Sequence, residues 1–287
     1  MNNINENKIL DFLNKKYDSS FIVLNNSSKN IHLKGYSEYF STIVFIKCFY
    51  SNKRYLKELE LLSIFNKDDL LEYFEWDDKY FIVFKYVNMQ DIHDFSKKEI
   101  VIAAKLIAKF HIISTKMCMD KIKSLSKNDK LIFDKVEDYI NLLEGHYRIR
   151  ELKKIYNNFL EYRTIYENEY FNLKKVVIHG DFGFRNIKMR NNEMTLIDFE
   201  RAKIDIQWND FIKVFNREIK SKEDQDIFIK AYSEELEIQK PSPILMKFLD
   251  FYTALGIFSY TKVVEDKEFE EMGHEIINHI NNFFEYL

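Results

Sequence analysis

The chain of 287 residues has little glycine, proline or cysteine, with 6 Gly, 2 Pro and 2 Cys. Two cysteines, Cys48 and Cys118, cannot build a disulfide framework, and the start of the chain lacks the pattern of a secretion signal. We therefore expect a reducing, cytoplasmic location. No apolar run approaches the ~20 residues that span a bilayer, so we expect no membrane partner. The net charge of −3 gives no electrostatic reason to expect nucleic acid binding.

Hydrophobic residues, by contrast, are abundant. They make up 46% of the chain, and aromatic residues make up 16%. Extensive disorder is therefore not expected, because the chain can bury ample apolar surface. The length is sufficient for two lobes, each with its own core.

The pattern of apolar residues changes along the chain and predicts two regions. Residues 1–87 contain a leading amphipathic helix over 4–16, a helix over about 52–66, and short β-branched or aromatic segments typical of an antiparallel sheet. The predicted strands cover 21–24, 30–34, 42–49, 71–76 and 80–87. The predicted later helices cover 97–117, 129–145, 148–171, 208–218, 223–237, 242–264 and 268–287. The sequence thus predicts an α+β chain with a small sheet-based lobe, 1–87, and a larger, mainly helical lobe, 88–287.

The stretch 176–201 carries polar residues at intervals that suit phosphoryl transfer. An apolar strand leads into a polar loop, and a hairpin over 187–197 follows. This arrangement is predicted to bring Asp181, Asn186 and Asp198 to one end of a small sheet. An Asp can accept the proton of an attacking hydroxyl, whereas Asn and Asp oxygens are hard ligands for Mg²⁺, which neutralises phosphate charge. We therefore predict Asp181 as the general base or hydroxyl-orienting residue, and Asn186 and Asp198 as magnesium ligands.

This ordered motif resembles the aminoglycoside phosphotransferase and choline kinase family. His-Gly-Asp at 179–181 is followed by Asn186, by Ile-Asp-Phe at 197–199 and by Asp210. The family has a protein-kinase-like two-lobe fold, so the resemblance implies a small-molecule kinase that uses ATP or GTP with Mg²⁺. It also implies that Asp210 opens the next helix and braces the catalytic loop. One turn departs from the pattern, because residues 205–207 are Asp-Ile-Gln where the family usually has Gly-Asp-Pro.

A lysine on an apolar strand is the next candidate. Lys47 shares a strand face with aromatic side chains, and a cation in such a place needs a charged partner. The following helix offers Glu58 and Glu60. Alignment with the family's apolar pattern favours Glu58 as the partner of a phosphate-contacting Lys47, with Glu60 as the alternative.

The resemblance also implies how the nucleotide binds. The turn at 25–30 stands where kinases have a glycine-rich phosphate loop, but it contains no glycine. Only Ser28 and Asn30 match the family pattern there, and Ser28 is the candidate phosphate contact. Lys85, Tyr86 and Val87 resemble the kinase hinge, whose backbone binds the adenine base.

Two features argue against a protein kinase and for a small acceptor. Gly180 stands where protein kinases have the Arg of His-Arg-Asp, the usual counter-cation of a phosphorylated activation loop. Only eleven residues separate Asp198 from Asp210, which leaves no room for a peptide-binding segment. We also predict that His179 bonds to backbone near Asp198, and Arg185 is a weaker candidate for contacting the transferred phosphoryl group.

The charge of the C-terminal region suggests the acceptor. Residues 241–287 carry eight acidic and three basic residues, and in the resembled family the C-terminal helices line the acceptor pocket. Acidic walls suit cationic acceptors such as aminoglycosides, so the first hypothesis is an antibiotic-resistance kinase. Asp250 is the best candidate because it lies in an apolar helix, and Glu200 is a second. The other acidic candidates, which also fit a solvated charged face, are Glu265, Asp266, Glu268, Glu270 and Glu271.

Two further hypotheses stay open. A metabolic kinase for choline, ethanolamine or an amino sugar is the second, because Trp208, Tyr252 and Tyr260 offer aromatic faces for an ammonium group. Their helical spacing fits core positions equally well. The third is a non-catalytic nucleotide-binding or structural protein, which the glycine-free phosphate loop favours and the complete set of polar site residues opposes.

Overall fold

The protein is described here from a computed structural model, which covers residues 2–26, 30–92, 95–127 and 129–286. Its strands are β1 Ile22–Asn26, β2 Asn30–Ser37, β3 Thr42–Phe49, β4 Leu70–Trp76, β5 Lys79–Lys85, β6 Gln90–Asp91, β7 Lys175–Ile178, β8 Ile187–Arg190, β9 Glu193–Leu196 and β10 Lys203–Ile206. Its α-helices are α1 Asn2–Tyr17, α2 Asn52–Phe65, α3 Lys97–Leu125, α4 Ile132–Leu142, α5 Ile149–Glu161, α6 Arg163–Asn172, α7 Trp208–Arg217, α8 Lys222–Ser233, α9 Pro243–Thr261 and α10 Lys267–Glu285. The predicted α+β class is confirmed.

The N-terminal lobe is a five-stranded antiparallel sheet in the order β1-β2-β3-β5-β4. Successive side chains of a strand point to opposite faces. On β3, Ile46 and Cys48 therefore belong to the core that contains Leu13 of α1. Phe49 belongs instead to the core shared by α2 and α3. Lys47 consequently faces the same side as Phe49, toward the other lobe.

The C-terminal lobe is built around α3 and α9, most of whose apolar side chains are buried. A capping box at Ser96 starts α3, which continues to Leu125, beyond the predicted end at residue 117. The single helix predicted over 148–171 is wrong, because the chain leaves helical geometry at Tyr162. This break lets Phe159 of α5 and Tyr166 of α6 both pack against Phe248 of α9. No glycine or proline marks the position, so the break has no local signal in the sequence.

The polar stretch lies between two small sheets rather than at the end of one. Strand β7 pairs with β10, whereas β8 pairs with β9 and with β6. The prediction of one small sheet is therefore wrong, since neither β6 nor β10 was recognised in the sequence. The lobe boundary near residue 88 stays a prediction. In the part of the chain described, no helix is long and apolar enough to cross a membrane.

Candidate active site

Lys47 lies in a buried network that joins the two lobes. Its Nζ is 2.6 Å from Glu58 Oε1 and 2.9 Å from Asp198 Oδ1. Burial would lower the pKa of Lys47, but the carboxylates of Glu58 and Asp198 together raise it above its usual value. Lys47 is therefore a cation at working pH. Of the two predicted partners, the structure pairs Lys47 with Glu58, while Glu60 lies partly exposed further along α2.

Asp181 is buried and surrounded by cations. Its carboxylate oxygens lie 2.7 Å from Arg185 Nη2, 2.9 Å from Lys213 Nζ and 3.6 Å from Arg201 Nη1. Burial would raise the pKa of Asp181, but Lys213, Arg201 and Arg185 overcome this effect and hold it well below its ordinary range. Asp181 is consequently ionised and a weak base, which suits orienting a hydroxyl better than early proton removal.

Asn186 and Asp198 present oxygen atoms that fit Mg²⁺. The Asn186 side-chain nitrogen donates to the Asp181 carbonyl at 2.8 Å, so its amide oxygen is left to face another partner. Asp198 uses one oxygen for Lys47 and its side chain is 32% exposed, which leaves the second oxygen accessible. No group of three His, Cys, Asp or Glu residues in the described ranges is arranged to hold a metal. Two protein oxygens still suit Mg²⁺, because this ion commonly keeps waters and phosphate oxygens as its other ligands.

Asp210, at the start of α7, fixes the loop that carries Asp181. Its carboxylate accepts hydrogen bonds from the backbone nitrogens of His179 at 2.7 Å and Gly180 at 2.8 Å. His111 Nε2 is 2.9 Å from the same carboxylate. His179 Nε2 faces the Ile197 carbonyl at 3.0 Å and must donate to it, which ties this loop to the residue before Asp198. These bonds align the two loops with each other.

Gly180 is required by the geometry of this loop. Its φ is +78°, and an added Cβ would lie 2.3 Å from the Arg201 carbonyl oxygen. We expect Gly180→Ala to lower the free energy of unfolding by more than ~2 kcal/mol, because left-handed strain alone costs roughly 1–2 kcal/mol and the clash adds to it. Urea unfolding measures the change.

Gly145 provides the matched control for that substitution. Its φ is +85°, yet a Cβ there would meet nothing within 4 Å. Gly145→Ala should therefore cost only the strain, roughly 1 kcal/mol, and leave phosphoryl transfer unchanged. Equal losses of stability in the two variants would show that the contact with Arg201 is unimportant.

Two further predicted residues are Glu200, the second acceptor candidate, and Ser28, the candidate phosphate contact. Glu200 is buried, and its carboxylate accepts hydrogen bonds from Asn30 Nδ2 at 2.8 Å and from Arg54 Nη1 at 2.7 Å. Both oxygens thus join the N-terminal lobe to the loop after Asp198. Ser28 lies outside the described residues.

The segment predicted as the hinge follows the last residue of β5. Lys85 is exposed and ends the strand, and the Tyr86 nitrogen donates to the Ile43 carbonyl at 2.9 Å. Within the described ranges, Val87 makes no backbone hydrogen bond. Its backbone groups are therefore left for another partner, which fits the predicted contact with the adenine base.

A cleft of about 990 Å³ opens beside the loop of Asp181, between the first turns of α2 and helices α4, α7, α9 and α10. Among the residues that the structure describes, nine Lys or Arg side chains and three Asp or Glu side chains line it. The predicted acidic wall is therefore wrong for this cleft. Asp250 does not line it and instead accepts a hydrogen bond from Lys247 Nζ at 3.0 Å.

The remaining acidic candidates mostly face solvent. Asp266 lines the cleft, but its carboxylate caps α10 by accepting from the Phe269 nitrogen at 3.0 Å. Glu265 and Glu268 are 83% and 82% exposed. Among the predicted aromatic residues, Tyr252 and Tyr260 line the cleft, whereas Trp208 packs against aromatic side chains within α7.

The cations around the site were not predicted from the sequence. Arg201 and Lys213 contact Asp181 from the loop after Asp198 and from α7. Lys57 and Lys135 line the cleft from α2 and α4. The only available signal was position, since Lys57 directly precedes Glu58 on α2. That signal is weak, because most helical lysines lie in solvent.

Comparisons with known proteins identify a family and a shared fold. A model of the phosphotransferase enzyme family matches residues 38–243. Ethanolamine kinase from Plasmodium vivax is 17% identical, with 91% of this chain and 82% of that chain covered and a TM-score of 0.63. A thermostable mutant of aminoglycoside phosphotransferase APH(4)-Ia, solved with AMP-PNP and hygromycin B, is 10% identical, with 95% and 97% covered and a TM-score of 0.65. Macrolide 2'-phosphotransferase MphH from Brachybacterium faecium is 11% identical, with 95% and 97% covered and a TM-score of 0.57.

A search of curated proteins finds no match. At the identities above, the structural similarity establishes a shared fold and nothing about the acceptor. The predicted protein-kinase-like arrangement of two lobes is confirmed on this ground.

Proposed function

Because the chain belongs to the phosphotransferase enzyme family, we propose that it transfers the γ-phosphoryl group of ATP to a hydroxyl of a small molecule. The observation that carries this proposal is the meeting of Asp181, Asn186 and Asp198 beside the buried pair of Lys47 and Glu58. An aminoglycoside phosphotransferase of the same fold was solved with AMP-PNP, which further supports a nucleotide as the phosphoryl donor.

Different residues act on the nucleotide and on the acceptor. Lys47, held by Glu58, binds the nucleotide phosphates, and Asn186 and Asp198 would hold Mg²⁺. When bound, Mg²⁺ neutralises the charge on the phosphates. Asp181 orients the acceptor hydroxyl toward the γ-phosphorus.

The transfer itself exchanges one phosphorus–oxygen bond for another. The acceptor oxygen forms a bond to the γ-phosphorus while the bond to the bridging β–γ oxygen breaks and ADP leaves. The hydroxyl proton passes to the Asp181 carboxylate late in the transfer and then to solvent. This order follows from the low pKa of Asp181, which makes it a poor base until the new bond has largely formed.

Nucleotide consumption by the purified protein tests the proposal. ATP and GTP are each supplied with Mg²⁺ and with a panel of aminoglycosides, other antibiotics, choline, ethanolamine, amino sugars, phosphorylated polyols and hydroxy acids. We expect ADP or GDP to accumulate only when one acceptor class is present, and mass spectrometry to find that acceptor 80 Da heavier. Nucleotide bound tightly but never consumed, with or without Mg²⁺, would instead support a non-catalytic protein.

A further inference from the structure

The acceptor cleft carries far more positive charge than its carboxylates neutralise. Several cations are paired: Lys53 with Asp129, Arg54 with Glu200 at 2.7 Å, and Lys203 with Asp205 at 2.7 Å. Three further cations, Arg185, Arg201 and Lys213, share the single carboxylate of Asp181. Even with every carboxylate of the described residues counted, the described lining of the cleft therefore keeps a net positive charge.

Two cleft lysines have no partner within the described residues. Within the described residues, the ammonium groups of Lys57 and Lys135 make no side-chain hydrogen bond or ion pair, and both side chains line the cleft. Lys57 is only 4% exposed, so solvent compensates its charge poorly. A buried ammonium group without a partner is costly.

The charged groups around Lys57 also leave its charge without compensation. Burial, followed by the repulsion of Lys53, lowers the pKa of Lys57 to about 8, and Lys203 and Lys135 act in the same direction. Asp129 opposes them but does not restore the usual value. Burial and Lys203 likewise lower the pKa of Lys135. A bound anion would supply the missing negative charge to both lysines.

We propose that the acceptor is an anionic small molecule, a hydroxyl compound that also carries a phosphate ester or a carboxylate, and that Lys57 and Lys135 bind its anionic group. The inference rests on the proposed function, because it identifies the class of acceptor for that reaction. Cationic acceptors are disfavoured because like charges would meet along most of the cleft wall. Lys203 also lies close enough to Tyr252 to oppose an ammonium group on that aromatic face.

A calorimetric titration with inorganic sulfate tests the anion site. It does not require the true acceptor to be known. Sulfate is titrated into protein saturated with AMP-PNP and Mg²⁺, which keeps it out of the nucleotide site, and also into protein alone. The wild type should bind sulfate in both states. Lys57→Met and Lys135→Met should each weaken binding by at least ~10-fold, the size expected from losing one charge-assisted hydrogen bond.

Lys154→Met is the matched control. Lys154 is an exposed lysine on α5, outside the cleft, so its replacement removes one positive charge without touching the site. Sulfate affinity should not change. Thermal unfolding of Lys57→Met checks the fold, and its midpoint should not fall, because the substitution removes an uncompensated buried charge. If nucleotide-loaded wild type does not bind sulfate, or if all three variants bind it equally, the proposed anion site is wrong.

A turnover experiment then distinguishes the two anionic sources. Glycerol 3-phosphate is compared with glycerol, ribose 5-phosphate with ribose, and glycerate with glycerol, each alongside choline and kanamycin. Preference for the phosphate esters or for glycerate identifies the anionic group. Preference for choline or kanamycin would overturn the anionic acceptor while leaving the kinase proposal intact. If sulfate binds at Lys57 but no nucleotide binds, the proposed anion site is supported and the kinase proposal is wrong.

Discussion

Asp198→Asn should slow phosphoryl transfer by at least ~10³-fold while the protein remains folded. The substitution keeps the shape of the side chain but removes the charge that faces Lys47 and the proposed Mg²⁺. Asp198 has a φ of 71°, a conformation that is uncommon for residues other than glycine and is tolerated better by Asn and Asp than by most others. Asn therefore fits the backbone, and the loss should come from electrostatics rather than from unfolding.

The dependence of the rate on Mg²⁺ concentration tests whether Asp198 acts as a metal ligand. Loss of a charged ligand should raise the Mg²⁺ concentration needed for half-maximal rate, and EDTA should abolish the wild-type activity. Asp226→Asn serves as the control, because Asp226 is exposed on α8 and, among the described residues, pairs with Lys222 alone. Near-normal turnover by Asp198→Asn with an unchanged Mg²⁺ requirement would remove Asp198 from the proposed metal site.

The pairing of Lys47 with Glu58 illustrates what could be predicted from the sequence. Strand alternation placed Lys47 on an apolar face, and burial of a cation demands a nearby carboxylate. The helix that follows offered only two candidates within reach, and Glu58 is the one that pairs. Asn186 also contacts the Asp181 carbonyl and accepts a backbone hydrogen bond from Ile197, next to Asp198, because short loops and a hairpin leave the chain few ways to separate them.

The acceptor cleft could not be predicted in the same way, because its charge comes from separate segments. Lys57 lies on α2, Lys135 on α4, Lys203 on β10 and Lys213 on α7. Each is an ordinary lysine in its own sequence context, and only the packing of the two lobes brings them together. The acidic excess of residues 241–287 misled the prediction for a related reason, since the net charge of a segment does not show which way each side chain faces.

Asp181→Asn should lower the turnover number by at least ~10³-fold with little change in the affinity for nucleotide. Asp181 contacts Arg185, Arg201 and Lys213 but makes no contact with Lys47. The substitution should therefore impair the orientation of the acceptor hydroxyl without disturbing the nucleotide phosphates. Steady-state kinetics and nucleotide titration separate the two effects. Weaker nucleotide binding with a normal turnover number would show that Asp181 acts on the nucleotide and not on the acceptor.

The pH dependence of the rate offers an independent test of Asp181. Burial and the three cations act in opposite directions on its pKa, and the cations hold that pKa well below the ordinary value. The ionised form therefore persists as pH falls, and protonation of Asp181 should not slow the wild type between pH 7 and 5. Lys213→Met removes one of the cations, so the pKa of Asp181 should rise and the acid limb of the rate profile should move to higher pH. If the acid limb stays in place, the cations are not what keeps this carboxylate ionised, and the orienting role assigned to Asp181 loses its electrostatic basis.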